Sequence, residues 1–287
     1  DSLTLLESVQ HIYLRRMMGL NPRAMTTPLF TETGLWPIRY RRLALALRFA
    51  LYIISQRPPV PLAALAEARA MAIAGADSWL GDLHHALQSL PVPVEMDKHA
   101  ALTADYISNM LERLRISLVE HLRQEIASSQ RLVMLAARAS REPVLERRDY
   151  LSITRREHRA ALIRLLVSDH PLAVEQMRRR TPPVPREWRV CRFCARRGSI
   201  EDETHTLLRC PGAALVEPRK RFMAQVLSVR TDLRVSLATT PLAFLAEVTR
   251  DADAVTHLAE YVHTVFLLCE NVPMVVITSE EQLLQLS

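Results

Sequence analysis

Apolar residues recur every three or four positions along most of this chain, the period of helices with one buried face. Leu5, Leu6, Val9, Ile12, Tyr13 and Met17 predict a helix over 3–18, closed by Gly19. Residues 19–36 read as a connector ending in Gly34-Leu35-Trp36-Pro37. A helix over 38–55 is basic at its start (Arg39, Arg41, Arg42) and apolar afterwards, and Pro58-Pro59 stops it. An Ala-rich helix over 61–75 follows, then a break and recap at Gly75-Ala76-Asp77-Ser78 and a helix over 79–90. The longest pattern covers 98–138, with Leu102, Tyr106, Ile107, Met110, Leu111 and Leu114 leading into Leu118, Leu122 and Ile126, and a break near Ser128-Ser129. Shorter patterns predict a capped segment at 144–151 and helices at 155–168, 172–180, 213–229, 241–249 and 252–269. The tail offers a β-like run at 274–277 and a helix at 280–286. The expected fold is therefore all-α, a multi-helix bundle. It divides along the chain into helical regions 1–93 and 94–180, a small element at 181–215, and C-terminal helices at 216–287.

Composition agrees with helix over sheet: Gly is scarce, at 6 in 287 residues, and aromatics make up 5%. No apolar run is long enough to span a bilayer and no signal peptide is visible, so no membrane partner is expected. The four cysteines are too few for a disulfide scaffold in so long a chain, and reduced thiols suit an intracellular setting. The chain opens on Asp1 rather than Met and reads as a piece of a longer protein.

Three of the four cysteines fall within 191–210, and with His205 they form C-x2-C-x10-H-x4-C: Cys191, Cys194, His205 and Cys210. A tight turn can aim the first two thiolates at one point, and a short helix can return the imidazole and the last thiolate. Such a donor set suits one tetrahedral Zn²⁺ with no position left for water, so the site is expected to be structural. The alternative is buried cysteines beside a chance histidine. Charge changes the picture further. The net charge is +6, and Lys98 and Lys220 are the only lysines. Residues 141–197 hold fifteen arginines against seven acids. Arg155, Arg159 and Arg164 lie on the 155–168 helix, and Arg178, Arg179, Arg180, Arg192, Arg196 and Arg197 crowd around the cysteines. Guanidinium groups in that density suit phosphates, and Phe193 could stack on a base. The alternatives are a solvated or internally paired arginine face, and Phe193 packed under the metal.

The stretch from Glu201 to Pro211, with Cys191 and Cys194 before it, resembles the CCHC motif near the C-terminus of non-LTR (LINE-type) retrotransposon reverse transcriptases, particularly fungal ones. Upstream, the segments at 158–165 and 170–175 are similar to the R-x-x-L-x-x-L-R and H-x-L elements before that motif, and Arg219 to Phe222 resembles the R-x-x-F after it. Residues 5–20 look like the helix that opens the thumb, and 33–42 like the thumb's G-x-x-P-L-x-x-R turn. The resemblance implies a thumb-like region, a linker and a zinc region that grip RNA or DNA during target-primed reverse transcription. It also implies the rest of the polyprotein as a partner and a nuclear location.

Catalysis is not expected of this chain. It has no Tyr-x-Asp-Asp pair to hold polymerase metals, and no clustered carboxylates with a lysine for a nuclease. No nucleotide or dinucleotide fingerprint is present, and no small-molecule substrate is expected. His84-His85 would point apart on a helix, His158 suits a helix face, His170 suits a helix C-terminus, and Cys269 suits a buried position. The rival to the nucleic-acid reading is a helical interaction scaffold with a purely structural metal site, its apolar stripes at 98–126 and 252–269 docking partner helices.

Overall fold

A computed structural model describes residues 2–139 and 143–286; Asp1, Ser140, Arg141, Glu142 and Ser287 lie outside the described residues. Its helices in chain order are α1 (Ser2–Met18), α2 (Thr27–Thr33), α3 (Ile38–Gln56), α4 (Pro59–Ile73), α5 (Trp79–Gln88), α6 (Ala104–Ser128), α7 (Val133–Ala139), α8 (Arg156–Leu166), α9 (Ala173–Gln176), α10 (Ala213–Val229), α11 (Arg234–Thr239), α12 (Pro241–Val248), α13 (Ala252–Asn271) and α14 (Glu280–Leu284). No sheet forms among the described residues; an isolated antiparallel bridge joins Val190 to Ile200. The fold is all-α with a small metal-site element, as the periodicity predicts. No described helix is long and apolar enough to cross a membrane.

The boundaries depart from expectation where local chemistry overrides the pattern. The connector 19–36 contains α2, whose seven residues are too few to show a helical period. The break expected near Ser128-Ser129 is present: α6 ends at Ser128 and α7 begins at Val133, and between them the Ser129 hydroxyl accepts from the N–H of Arg131 and of Leu132. The segment 172–180 forms only the single turn α9: Glu201 accepts from the Ala173 N–H (2.8 Å) and Val174 N–H (3.1 Å) at its start, while the Val174 carbonyl is taken by Arg189 and the Met177 carbonyl by the Val184 N–H (3.2 Å) where a longer helix would continue. The β-like run at 274–277 finds no partner strand and stays irregular.

The helices group into two compact units. The first comprises residues 1–13, 29–128 and 144–146. Here α3 lies against α6, and Leu43, Leu47 and Ile53 of α3 are buried, as are Ile107, Met110, Leu114 and Leu118 of α6. Tyr40 stacks on His121 with ring centroids 6.4 Å apart. The start of α3 is fixed by Gln10, which accepts from the Ile38 N–H and donates to the Trp36 carbonyl. Ser78 caps α5 as its sequence suggests, accepting from the Gly81 N–H at 3.1 Å.

The second unit comprises residues 14–28, 129–143 and 147–287. Its axis is α13, which packs on α8 and α10 and buries Leu258, Val262, Val265 and Phe266. Phe222 of α10 stacks on Tyr261 of α13 (4.7 Å, 10°) and meets Phe244 of α12 edge-on. Asp169 follows α8 in full burial, accepting from the Asn21 backbone N–H (2.8 Å), the Asn21 Nδ2 (2.7 Å) and Arg179 (2.9 Å). Burial pushes the Asp169 carboxyl up, but these donors outweigh it and hold it below its ordinary value. The stripes at 98–126 and 252–269, weighed above as docking faces, are mostly core in their own units.

Candidate metal centre

The four motif residues converge. The ligand atoms of Cys191, Cys194, His205 and Cys210 all lie within 4.8 Å of one another. Cys191 Sγ is 3.6 Å from Cys210 Sγ, and Cys194 Sγ is 3.5 Å from His205 Nε2. A tetrahedral ion with bonds of about 2.3 Å to sulfur and about 2.0 Å to nitrogen needs edges of about 3.8 and 3.6 Å. These two pairs stand close to that spacing and all four ligand atoms fall within 4.8 Å, so the group could hold a metal ion. With the four protein donors in place, no coordination position remains for a water or substrate.

Local structure explains the convergence. The Cys191 N–H donates to the Ser199 carbonyl (2.8 Å) and the Glu201 N–H to the Arg189 carbonyl (2.9 Å), which ties 189–201 into a hairpin. The Ala195 N–H donates to the Cys191 carbonyl (2.8 Å), forming the tight turn that brings Cys194 beside Cys191. Asp202 caps the next segment, accepting from the His205 N–H at 2.9 Å. Residues His205–Arg209 form one π-helical turn, and its wider loop lets the Cys210 N–H reach the His205 carbonyl (2.7 Å) and swings Cys210 under the site. Gly212 follows. A Cβ there would sit 2.6 Å from the Phe193 carbonyl oxygen, so only glycine lets the return chain pass this close. The Gly212 N–H points at Cys210 Sγ (3.4 Å). The hydrogen bond from Cys191, helped by those from His205 and the Gly212 N–H, pulls Cys210 down to about 4. The same bond, with burial, pushes the Cys191 thiol up.

Three supports surround the hairpin, and it is their pairings that the sequence does not show. Arg192, 4% exposed at its side chain, pairs with fully buried Glu201 at 2.8 Å. Arg192 also donates to the carbonyls of Pro171, Cys269 and Val272, which fastens the hairpin to the end of α13. Glu203 accepts from buried His170 Nε2 at 2.9 Å. Burial raises the Glu203 carboxyl, but His170, a backbone hydrogen bond and Arg186 together outweigh it and hold the group below its ordinary value. On the far side, Arg219 and Tyr261 donate to the Leu207 carbonyl (2.9 and 2.7 Å) and clamp the π turn to α10 and α13.

The nine arginines expected to meet phosphate divide into two groups. Arg192 is buried as described, Arg159 donates to the Ile153 carbonyl, and Arg164 donates to the Asp169 carbonyl while lying 5.8 Å over Phe266. Arg178 pairs with Glu175 and Arg179 with Asp169, each at 2.9 Å. Arg155, Arg180, Arg196 and Arg197 are exposed, and their side chains make no hydrogen bond or ion pair among the described residues. Arg196 and Arg197 sit on the hairpin loop between Cys194 and His205, whereas Arg155 lines a cleft of about 510 Å³ with His158, Thr256 and Glu260. A second cleft, of about 590 Å³, is bounded by Arg131, Arg178, Arg186 and Arg189. Each of these four is already occupied by a carboxylate or a backbone carbonyl. Phe193 is half-buried, with its backbone against Gly212. His84 and His85 do not join a metal group; His84 Nδ1 bonds the Met96 carbonyl at 2.9 Å. Cys269 is buried as expected, and burial pushes its thiol up to about 12.

No protein-family model, curated protein or solved structure matches this chain.

Proposed function

We propose that this chain is the nucleic-acid-binding C-terminal part of a LINE-type reverse transcriptase, with one structural Zn²⁺ held by Cys191, Cys194, His205 and Cys210. Three sulfur donors and one imidazole, converging within 4.8 Å of one another, favour zinc in a structural role. The observation that carries the binding reading is the hairpin loop. Its ends are pinned at the metal site, and between them it holds Arg196 and Arg197 exposed and unpaired. A rigid loop loses little entropy when such side chains meet phosphate. Arg155 and Arg180 are the other unpaired members of the expected set. The five internally bonded arginines hold the linker and hairpin in shape, and the resemblance of 158–175 and 191–222 to the linker and zinc region then concerns architecture as well as contact. Polymerase chemistry belongs to the parent polyprotein, which would work in the nucleus on RNA and target DNA.

The test is zinc content together with anisotropy of labelled RNA hairpin, single-stranded DNA and duplex DNA. One zinc per chain is expected. Four phosphate contacts predict that affinity for duplex falls roughly a hundredfold between 50 and 200 mM salt. Arg196→Gln/Arg197→Gln is expected to reduce the salt slope by about two. Salt-independent affinity, or no binding to any of the three, would sink the reading.

One observation favours the rival scaffold. Leu5, Leu6, Val9, Ile12 and Tyr13 are exposed along α1, an apolar seam that runs down to exposed Arg16. If zinc is bound but nucleic acid is not, a protein partner on that seam becomes the better account.

A further inference from the structure

We propose that the cleft beside the start of α8 is a binding site for a small zwitterion, a free α-amino acid with a basic side chain. This goes beyond nucleic-acid contact, since it gives the chain a small-molecule ligand. Three pieces of chain meet there. The 3-10 turn Asp149–Ser152 packs on both α8 and α13. Tyr150 and Ile153 are buried, and Arg159 donates to the Ile153 carbonyl, which fixes this wall. Arg155 and His158 stand one turn apart at the start of α8, and Thr256 and Glu260 stand one turn apart on α13. The space between them, about 510 Å³, is of small-molecule size.

Two features of the cleft select the ligand. The first is unused hydrogen-bonding capacity. His158 lines the cleft and is only 8% exposed, yet its imidazole makes no hydrogen bond among the described residues. Its ring neighbour is His263, 5.1 Å away. A buried polar side chain without a partner calls for one from outside the fold. Burial, then His263 and Arg155, keep the imidazole uncharged at pH 7, so it presents one donor and one acceptor nitrogen. The second feature is opposed charge. Arg155, Asp149 and Glu260 line the same cleft, and their side chains make no ion pair or hydrogen bond among the described residues. Two carboxylates against one guanidinium leave a surplus of negative charge. A phosphate chain laid here would meet both carboxylates, which disfavours a nucleic-acid strand. Asp149, His158 and Glu260 do not converge as the cysteine set does, so a bare metal ion does not fit either. A ligand with one anionic and two cationic groups matches the cleft. Its carboxylate meets Arg155, its two nitrogen groups meet Asp149 and Glu260, and His158 supplies a neutral hydrogen bond. Ile153 and Val255 form an apolar wall for the methylene groups between the charges.

Arg155 is shared with the expected phosphate contacts, so the experiment uses the full chain without nucleic acid. Calorimetry compares L-arginine and L-lysine with agmatine, which lacks the carboxylate, and L-norleucine, which lacks the side-chain charge. One of the two basic amino acids is expected to bind at least about tenfold more tightly than agmatine and norleucine, each of which forgoes a charge-assisted hydrogen bond. Arg155→Gln is expected to bring L-arginine down to the agmatine level and to leave agmatine unchanged. Glu260→Gln is expected to remove the preference over norleucine. Both contrasts compare ligands on one protein, so a loss of folding cannot imitate them. In the unaltered chain labelled with ¹⁵N-histidine, the tighter-binding amino acid is expected to shift the imidazole nitrogens of His158. No binding by either amino acid, equal affinity for L-arginine and agmatine, or an unmoved His158 signal would each overturn the site. Displacement of the bound amino acid by inorganic phosphate alone would identify a plain anion site and overturn it as well. Arg196→Gln/Arg197→Gln leaves the cleft untouched, so this site and the hairpin reading fail separately.

Discussion

Single residues decide whether the metal site can form. Gly212 is the clearest case, because a methyl group there would overlap the Phe193 carbonyl. Gly212→Ala should weaken metal binding about tenfold or more, in line with overpacking costs of about 1–3 kcal/mol. Competition titration with a chromogenic chelator checks it, and unchanged affinity would mean that the Phe193 turn yields freely. Arg192 is a different kind of residue from Arg196, although both sit in the same basic run. Arg192→Met leaves Glu201 charged and enclosed, and should cost about 3–5 kcal/mol in a denaturant melt. Arg192→Met/Glu201→Gln should recover much of that loss, because the stranded charge is gone. Neither change should alter the salt slope of nucleic-acid binding, since a 4% exposed guanidinium cannot reach a phosphate.

At the scale of elements, the contact between α8 and α13 carries a pH dependence. His158 of α8 lies 5.1 Å from His263 of α13, with Arg155, Glu157 and Glu260 also acting on it. Burial, then His263 and Arg155, hold its imidazole below its ordinary value, against a smaller opposing pull from Glu157 and Glu260. As pH falls below about 6.5 the unfolded chain takes up this proton before the folded one does, so stability drops until the lower folded value is reached. His158→Leu should therefore lose less stability than the parent chain between pH 7.5 and 5.5, compared by urea midpoints. Equal losses in the two proteins would remove His158 from the account. The turn from His205 to Arg209 shows the same dependence of an element on its surroundings. Nothing in His-Thr-Leu-Leu-Arg favours a π turn over an α turn. Clamping of the Leu207 carbonyl by Arg219 and Tyr261, together with Cys210 under the metal site, stabilises it.

For the whole molecule, the candidate metal site belongs to one of two units with separate cores. Chelation should release backbone protection over residues 189–212, while α3 and α6 keep their slow amide exchange. Hydrogen exchange with and without chelator measures this directly. Loss of protection in α3 would show that the metal staples more than its own neighbourhood. Supports such as Arg192 on the Cys269 and Val272 carbonyls imply that the end of α13 loosens along with the hairpin.

Much of this was legible in the sequence because it is local. The helices at 2–18, 38–56 and 213–229 follow from apolar periodicity that any neighbour would satisfy. The four ligands follow from thiols and an imidazole at spacings that turns can close. What the sequence left open depends on partners far along the chain. Periodicity marks which face of α13 is apolar, but not that α8 and α10 cover it. An arginine-rich run states its charge, but not that Glu201, Asp169 and Glu175 neutralise Arg192, Arg179 and Arg178 while Arg196 and Arg197 stay exposed. Charge is a property of the residue, whereas burial and pairing are properties of the assembled fold. Tertiary structure alone therefore separated the arginines that build this protein from those free to bind.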